Sequence, residues 1–417
     1  MRAGVDAVSA DRVIARALAD PAIGDIVTSR PLHVVAAGKA AAAMAAAFTS
    51  LPHLAIRHAM AVGTHPHAGL SPGVEWIEAG HPYPDARSEL AGNRALALAQ
   101  GVHSGEALVI LLSGGASALM AAPIEGLSLE EKINATRVMM TSGADIHALN
   151  TVRRHLSKVK GGRLAAACIG TTITLAISDV VGDDLHAIGS GPGVPDESTW
   201  SDAAAAIERF GGAAHSAHVL SIIRAGVDGR IPDTPKAGHP ALGRATARVI
   251  GSRVDAMAGA SAAAIARGYH AVIMSDAVTG EAKHAAMDWL ARARSMAGHS
   301  ARPACVISSG ETTVRVTGSG SGGRNLEFAL ALAEAIAGLP SAAVASIGTD
   351  GIDGSSGVAG AMIDSRTLAR AAAAGLRSPG EYLAANDSFA FFAPLDDVVR
   401  LGRTDTNVGD LQVLLID

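Results

Sequence analysis

The sequence has little cysteine: Cys168 and Cys305 are the only two in 417 residues. They are too few and too isolated for a disulfide framework or a cysteine-based zinc site. A reducing, cytoplasmic compartment is therefore expected. Basic charge is also short, with 34 Lys and Arg against 39 Asp and Glu, a net charge of −5. Nucleic-acid binders usually carry the opposite bias, so nucleic acid is not an expected partner. Long, strongly apolar runs are missing. The most apolar early run, residues 34–48, is mostly alanine and is interrupted by Lys39. A spanning helix needs roughly 20 strongly apolar residues, so no membrane is expected. The opening stretch carries Asp6, Asp11 and Arg12 where an export leader needs unbroken apolar sequence. Wholesale disorder is excluded by a composition 49% hydrophobic and 18% charged.

Glycine, by contrast, is abundant, with 47 residues. It collects at the ends of apolar runs, where loops approach a ligand or take positive φ. At roughly 150 residues per domain, the length suits two or three domains. Continuous Val/Ile/Leu/Ala runs predict strands over residues 32–37, 107–112, 171–177, 271–275, 304–308 and 342–347. Such runs suit strands buried on both faces of a mainly parallel sheet. Helices are expected over 11–18, 39–48, 88–101, 128–142, 145–158, 254–267, 281–297 and 325–337. Ser128 followed by Glu131 has capping-box spacing. The fold class is thus α/β. The Pro-, Gly- and charge-rich stretch 227–242 marks the boundary between domains 1–235 and 236–417. The last 20 or so residues are free to pack on either domain.

Six segments carry candidate chemistry. In LHVVAAGKAAAAM a strand ends at Gly38-Lys39 and a helix follows, a combination that attracts anions but is not a Walker A loop. In ALVILLSGGASALM the strand feeds Ser113, Gly114, Gly115 and Ser117, whose amides and hydroxyls can converge on an oxyanion. In HALNTVRRHLSKVKGGR, helical spacing puts His147, Asn150, Arg154 and Lys158 on one face, with Arg153, Lys160 and Arg163 adding charge. In TITLAISDVVGDD a buried strand releases Asp179, Asp183 and Asp184, suited to Mg²⁺. GETTVRVTGSGSGGRNLEF contains Gly318, Gly320 and Gly323 in the dinucleotide spacing G-x-G-x-x-G. Its strand alternates, however, and Asp350 lies further from Gly323 than the usual 20 or so residues. What remains is a glycine loop delivering Arg324 to a helix start. Lastly, SIGTDGIDG ends a strand in Asp350 and Asp353 without the full EF-hand pattern.

AAGKA, SGGASAL, HALNTVRRHLSKVKGGRLA, SDVVGDD, GSGPGVPD, GETTVRVTGSGSGGRNLEFALA and GTDGIDG occur in the order seen in glycerate 2-kinases of the MOFRL type. The resemblance runs over residues 11–415. It implies ATP-dependent phosphorylation of D-glycerate at its 2-hydroxyl. It also implies an N-terminal Rossmann-like domain, a C-terminal MOFRL α/β domain and an active-site cleft between them. Lys39 and Arg324 take the catalytic positions of the family. Substrate and phosphate binding are expected of Gly38, Ser113, Gly114, Gly115, Ser117, Asn150, Arg153, Lys158, Glu311, Gly323, Asn325 and Asn386. Asp179, Asp183 and Asp350 are the candidate Mg²⁺ ligands. The chain departs from the family's usual pattern at Ala116, Val181, Gly357, Arg403 and Asp405. Expected partners are D-glycerate and ATP, with a homodimer allowed for. The rival is an NAD(P)H-dependent hydroxypyruvate reductase, a label often given to such proteins. A non-catalytic sugar-acid binder is the third reading.

Overall fold

A computed structural model describes residues 1–339 and 341–417. It divides into two compact units, one of residues 13–250 and one of residues 1–12 with 251–417. The division falls at 250, not at the expected 235, because one further strand after the Pro-rich stretch joins the first sheet. The opening residues belong with the later unit, a discontinuity that no composition shift announces.

The first unit is built on six strands: β1 (Leu32–Ala37), β2 (Ile56–Gly63), β3 (Val74–Glu78), β4 (Ala107–Leu112), β5 (Thr171–Ile177) and β6 (Ala245–Gly251). Their order is β3-β2-β1-β4-β5-β6. β3 to β5 pair in parallel, with Val34 opposite Ala59 on one side and Val109 on the other. β1 and β4 are buried at every residue, which is why their runs are unbroken. One face carries a core of Val35, Met60, Leu108, Ile110 and the helix residues Ala91 and Ala95. A separate helical cluster joins Met139, Val152, Trp200, Ile207 and Ile223. Helix Leu129–Thr141 starts at the expected capping box, with Ser128 and Glu131 exchanging bonds. Helix Ile146–His155 ends short of Lys158, so Lys158 is not on the helical face expected of it.

The second unit holds a seven-stranded mixed sheet. Its members are β7 (His270–Ile273), β8 (Val278–Glu281), β9 (Ala304–Thr313), β10 (Ala342–Gly348), β11 (Gly360–Asp364), β12 (Val398–Val399) and β13 (Asp410–Ile416). The order is β12-β11-β10-β13-β9-β7, with β8 also on β9. β7 and β8 run parallel to β9, while β13 is antiparallel to both β9 and β10. The final stretch therefore belongs to the second unit. The alternating TTVRVT segment stops being a strand at Thr313, and Val316 is 73% exposed. The helix expected over 325–337 is two, Arg324–Ala331 and Ala333–Ala337. Helix Arg2–Ala7 packs along helix Arg253–Ile265. Gly4 and Gly259 make room: a Cβ on Gly4 would stand 2.7 Å from the Ala256 carbonyl oxygen.

Candidate active site

The strand order of the first sheet reverses between β1 and β4. From β1 the chain runs outward to β2 and β3, then returns to β4 and continues to β5 and β6. Ligands of open α/β sheets bind beyond the strand ends at such a switch point. The loops leaving β1 and β4 meet there. Ser113 Oγ accepts a bond from the Ala40 amide at 2.9 Å, and the Lys39 amide donates to the Gly114 carbonyl at 2.8 Å. This stitching requires Gly38, at φ +129, because a Cβ there would fall 2.2 Å from Ser113 Oγ. Gly115, at φ +86, turns the second loop into helix Ala116–Leu119. Ala116 is the first helical residue and fully buried, so this departure from the family pattern needs no glycine freedom.

A Cβ on Gly115 would lie 3.1 Å from the His81 ring and 3.5 Å from the Lys39 side chain. His81, Gly115 and Lys39 therefore converge. Burial, then the Lys39 charge, hold the His81 pKa below its usual value, so its imidazole is neutral near pH 7. Beyond Gly115 opens a cavity of about 320 Å³ whose lining includes His81, Ser117, Lys132, Arg153 and Lys160. No carboxylate lines it. Ser117 Oγ lies 2.8 Å from Ser190 Oγ, which donates to Asn150 Oδ1 at 3.0 Å. Asn150 thus orients the hydroxyl chain from beneath. Lys132, which sequence reasoning did not single out, and Lys160, which it counted as added charge of the basic cluster, form the buried floor. Lys132 Nζ donates to the carbonyls of Leu156 (2.6 Å) and Arg153 (3.3 Å), closing the C-terminus of helix Ile146–His155. The basic cluster splits by role. Arg154 pairs with Asp196 at 3.2 Å, Arg163 spans carbonyls of Arg154, His155 and Pro232, and Lys158 is not in the cavity lining.

In the second unit the glycine loop packs on protein. Asn386 Oδ1 accepts from the Thr317 and Gly318 amides at 2.7 and 2.8 Å, and the Gly320 amide donates to the Ala385 carbonyl at 3.1 Å. Asn386 is thus the loop's clamp. Arg324 opens the following helix. Its Nε donates to Asp410 at 2.8 Å and its Nη1 to Glu311 at 2.9 Å. Burial alone would lower its pKa, but Asp410 and Glu311 outweigh burial and raise it. Asn325 Nδ2 also reaches Asp410, at 2.9 Å, while Ser346 Oγ donates to Asn325 Oδ1. Asp353 takes the amides of Asn325 and Leu326 at 3.1 and 2.8 Å, capping the helix that follows Gly323. Desolvation lifts the Asp353 pKa to about 6 in spite of those bonds. Asp410 was not anticipated; its only signal is a lone acid opening an apolar terminal strand.

Among the described residues no three His, Cys, Asp or Glu side chains gather as a metal-binding group. Asp183, at φ +56, keeps Oδ1 buried without a hydrogen-bond partner. Asp179 lies in the same unit, whereas Asp350 belongs to the other, where its Oδ1 accepts from the Ile352 amide. No described helix is long and apolar enough to cross a membrane.

Two family models match: a domain of unknown function (DUF4147) over residues 1–224, and the MOFRL family over residues 304–410. A protein of Agrobacterium vitis that bears a hydroxypyruvate reductase label is 39% identical, covering 98% of this chain and 95% of its own. The D-glycerate 2-kinase of Thermotoga maritima is 34% identical, over 100% of this chain and 96% of the relative. The crystal structure of glycerate kinase from Thermotoga maritima superposes with a TM-score of 0.88 at 35% identity, covering 99% of this chain and 97% of that one. With both matched regions in sequence order and full-length relatives on every count, this chain belongs to the MOFRL-containing glycerate kinase family.

Proposed function

We propose that this chain transfers the terminal phosphoryl group of ATP to the 2-hydroxyl of D-glycerate, releasing 2-phosphoglycerate and ADP. One observation carries the reading. At the switch point of the first sheet, Lys39 stands beside Gly115, and Gly115 lines a cavity whose described lining carries cations and no carboxylate. Phosphoryl transfer asks a protein chiefly for positioning and charge neutralisation, which is what this arrangement offers. Lys39 neutralises the migrating phosphoryl group, and the Gly114 and Gly115 amides hold an anionic group, the Ser113 amide being taken by the Ala37 carbonyl. Arg324 takes the second catalytic role. Its Nη2 has no hydrogen-bond partner among the described residues, while Nε and Nη1 are anchored.

Mg²⁺ fits this chemistry. The orphaned Oδ1 of Asp183 is a carboxylate oxygen suited to a hard cation, and Mg²⁺ needs only one or two such ligands beside phosphate oxygens. Asp179 and Asp183 would hold it, and it would offset charge on the phosphate chain. Asp350 is the third candidate.

The test is an assay with D-glycerate, ATP and Mg²⁺, the product identified by phosphorus NMR. Formation of 2-phosphoglycerate supports the reading. Formation of the 3-isomer, or loss of nicotinamide absorbance with hydroxypyruvate and no need for ATP, overturns it.

A further inference from the structure

The cavity beyond Gly115 contains three cations that phosphoryl transfer itself leaves without a task. Lys160 is 1% exposed and Lys132 is 5% exposed. Burying a charged side chain without a counter-charge is costly. Yet no salt bridge reaches Lys132, Arg153 or Lys160 among the described residues, and the charges acting on them are one another's and Arg163. The carbonyl partners of Lys160, on Met120 and Gly189, stand at 3.3 Å, long for a charged donor. Two inward-facing cations elsewhere do have buried acids: Arg154 has Asp196 and Arg324 has Asp410. Here the chain supplies none.

We infer that this cavity is the carboxylate subsite for the acid substrate, with Arg153, Lys160 and Lys132 receiving the carboxylate and the Ser117 hydroxyl meeting the adjoining polar carbon. The inference rests on the kinase reading above and adds the group that selects an acid over a neutral polyol. Two features favour a small carboxylate over the nucleotide's phosphate chain. The cavity, at about 320 Å³, sits at the small end of ligand sites, the scale of a small acid. The chain Asn150–Ser190–Ser117 presents an oriented hydroxyl inside the same cavity, as a hydroxy acid requires. Gly115, which lines the cavity, also lies against the side chain of Lys39.

The experiment compares D-glycerate with D-glyceramide, the neutral amide of the same shape, in the full chain with ATP and Mg²⁺. The wild type is expected to favour the acid by on the order of 100-fold in kcat/KM, the scale of an unpaired buried charge. Arg153→Met and Lys160→Met should bring that ratio towards unity while the KM for ATP stays unchanged. Lys160→Arg should restore most of it, a rescue that a merely structural role would not produce. Thermal melts establish that each variant folds, and Arg153→Lys, which keeps the charge, should give an intermediate ratio. Should the wild type make 2-phosphoglycerate while Arg153→Met keeps the full preference, the carboxylate assignment fails and the kinase reading stands. A rise in the KM for ATP with the acid preference intact reassigns the cavity to nucleotide phosphates and overturns the inference. Should no 2-phosphoglycerate form, the kinase reading fails instead. Calorimetry of glycerate and glyceramide without nucleotide then tests the subsite alone, and equal binding of the two overturns it.

Discussion

Two regions of the molecule, one in each unit, treat inward-facing positive charge in opposite ways. In the first, Lys132, Arg153 and Lys160 line a cavity with no acid among them. In the second, Arg324 is gripped by Asp410 and Glu311, and Asp410 is itself held by Asn325 and the Thr312 amide. The first arrangement is incomplete without an anion and has the character of a receptor. The second is complete within the chain and serves as a brace that aims one remaining N–H edge. A basic cluster in sequence is therefore informative only once its acids are located.

This contrast can be attacked from both sides. Asp410→Ala strips the brace of its buried acid and leaves Arg324 with only the more exposed Glu311. A loss of about 3–5 kcal/mol in stability is expected, read from urea melts. If stability hardly moves, the brace is not a brace. Lys39→Ala acts on the receptor side: turnover should fall about 100- to 1,000-fold with an unchanged melt. Arg324→Ala should lose both turnover and stability, since it abandons two carboxylates.

Lys160→Met should do the reverse of Asp410→Ala and stabilise the chain near neutral pH by about 1–3 kcal/mol. The sign follows from linkage. Burial, with Arg153, holds the folded-state pKa of Lys160 at about 7, while the unfolded value is 10.5. Between those values the unfolded chain binds the extra proton, so wild-type stability gains from this group as pH rises. Lys160→Met should flatten that rise in melts taken across pH 7–10. A variant as steep as the wild type would mean that Lys160 is not the desolvated group. Asp145→Ala should have the smallest effect, about 1 kcal/mol. It removes a cap on the Ala148 amide, while Lys132 still closes the other end of the helix that carries Arg153.

The strands read at their observed bounds are those buried along nearly their whole length. β1, β4 and β5 appear at their expected bounds because unbroken apolar runs have no other reading once glycines end them. β2 and β3 escaped because Arg57, His58 and Glu75 are exposed and break the run. The helix beyond Arg324 was seen whole, yet Leu332 divides it, and nothing in an alanine-rich segment marks such a break. At the site, glycines beside Lys39, Ser113 and Arg324 pointed to the right loops. Lys132 did not stand out, and Lys160 counted only as added charge, because spacing cannot separate a buried lysine from a solvated one. The partners that decide the matter, Leu156, Met120 and Gly189, are distant in the chain. Asp410 was hidden for the same reason, lying 86 positions from Arg324.

The order of strands in the second sheet has a bearing on how the protein is made. β13 is the last of the seven to leave the ribosome, yet it lies between β9 and β10 in the middle of the sheet. Until it arrives, β9 and β10 each present an open edge, and helix Arg2–Ala7 waits for a partner helix encoded some 250 positions later. The first unit can close during synthesis, whereas the second must assemble in one late step. Nascent chains stalled before residue 410 would expose sheet edges that invite pairing between neighbours on a polysome.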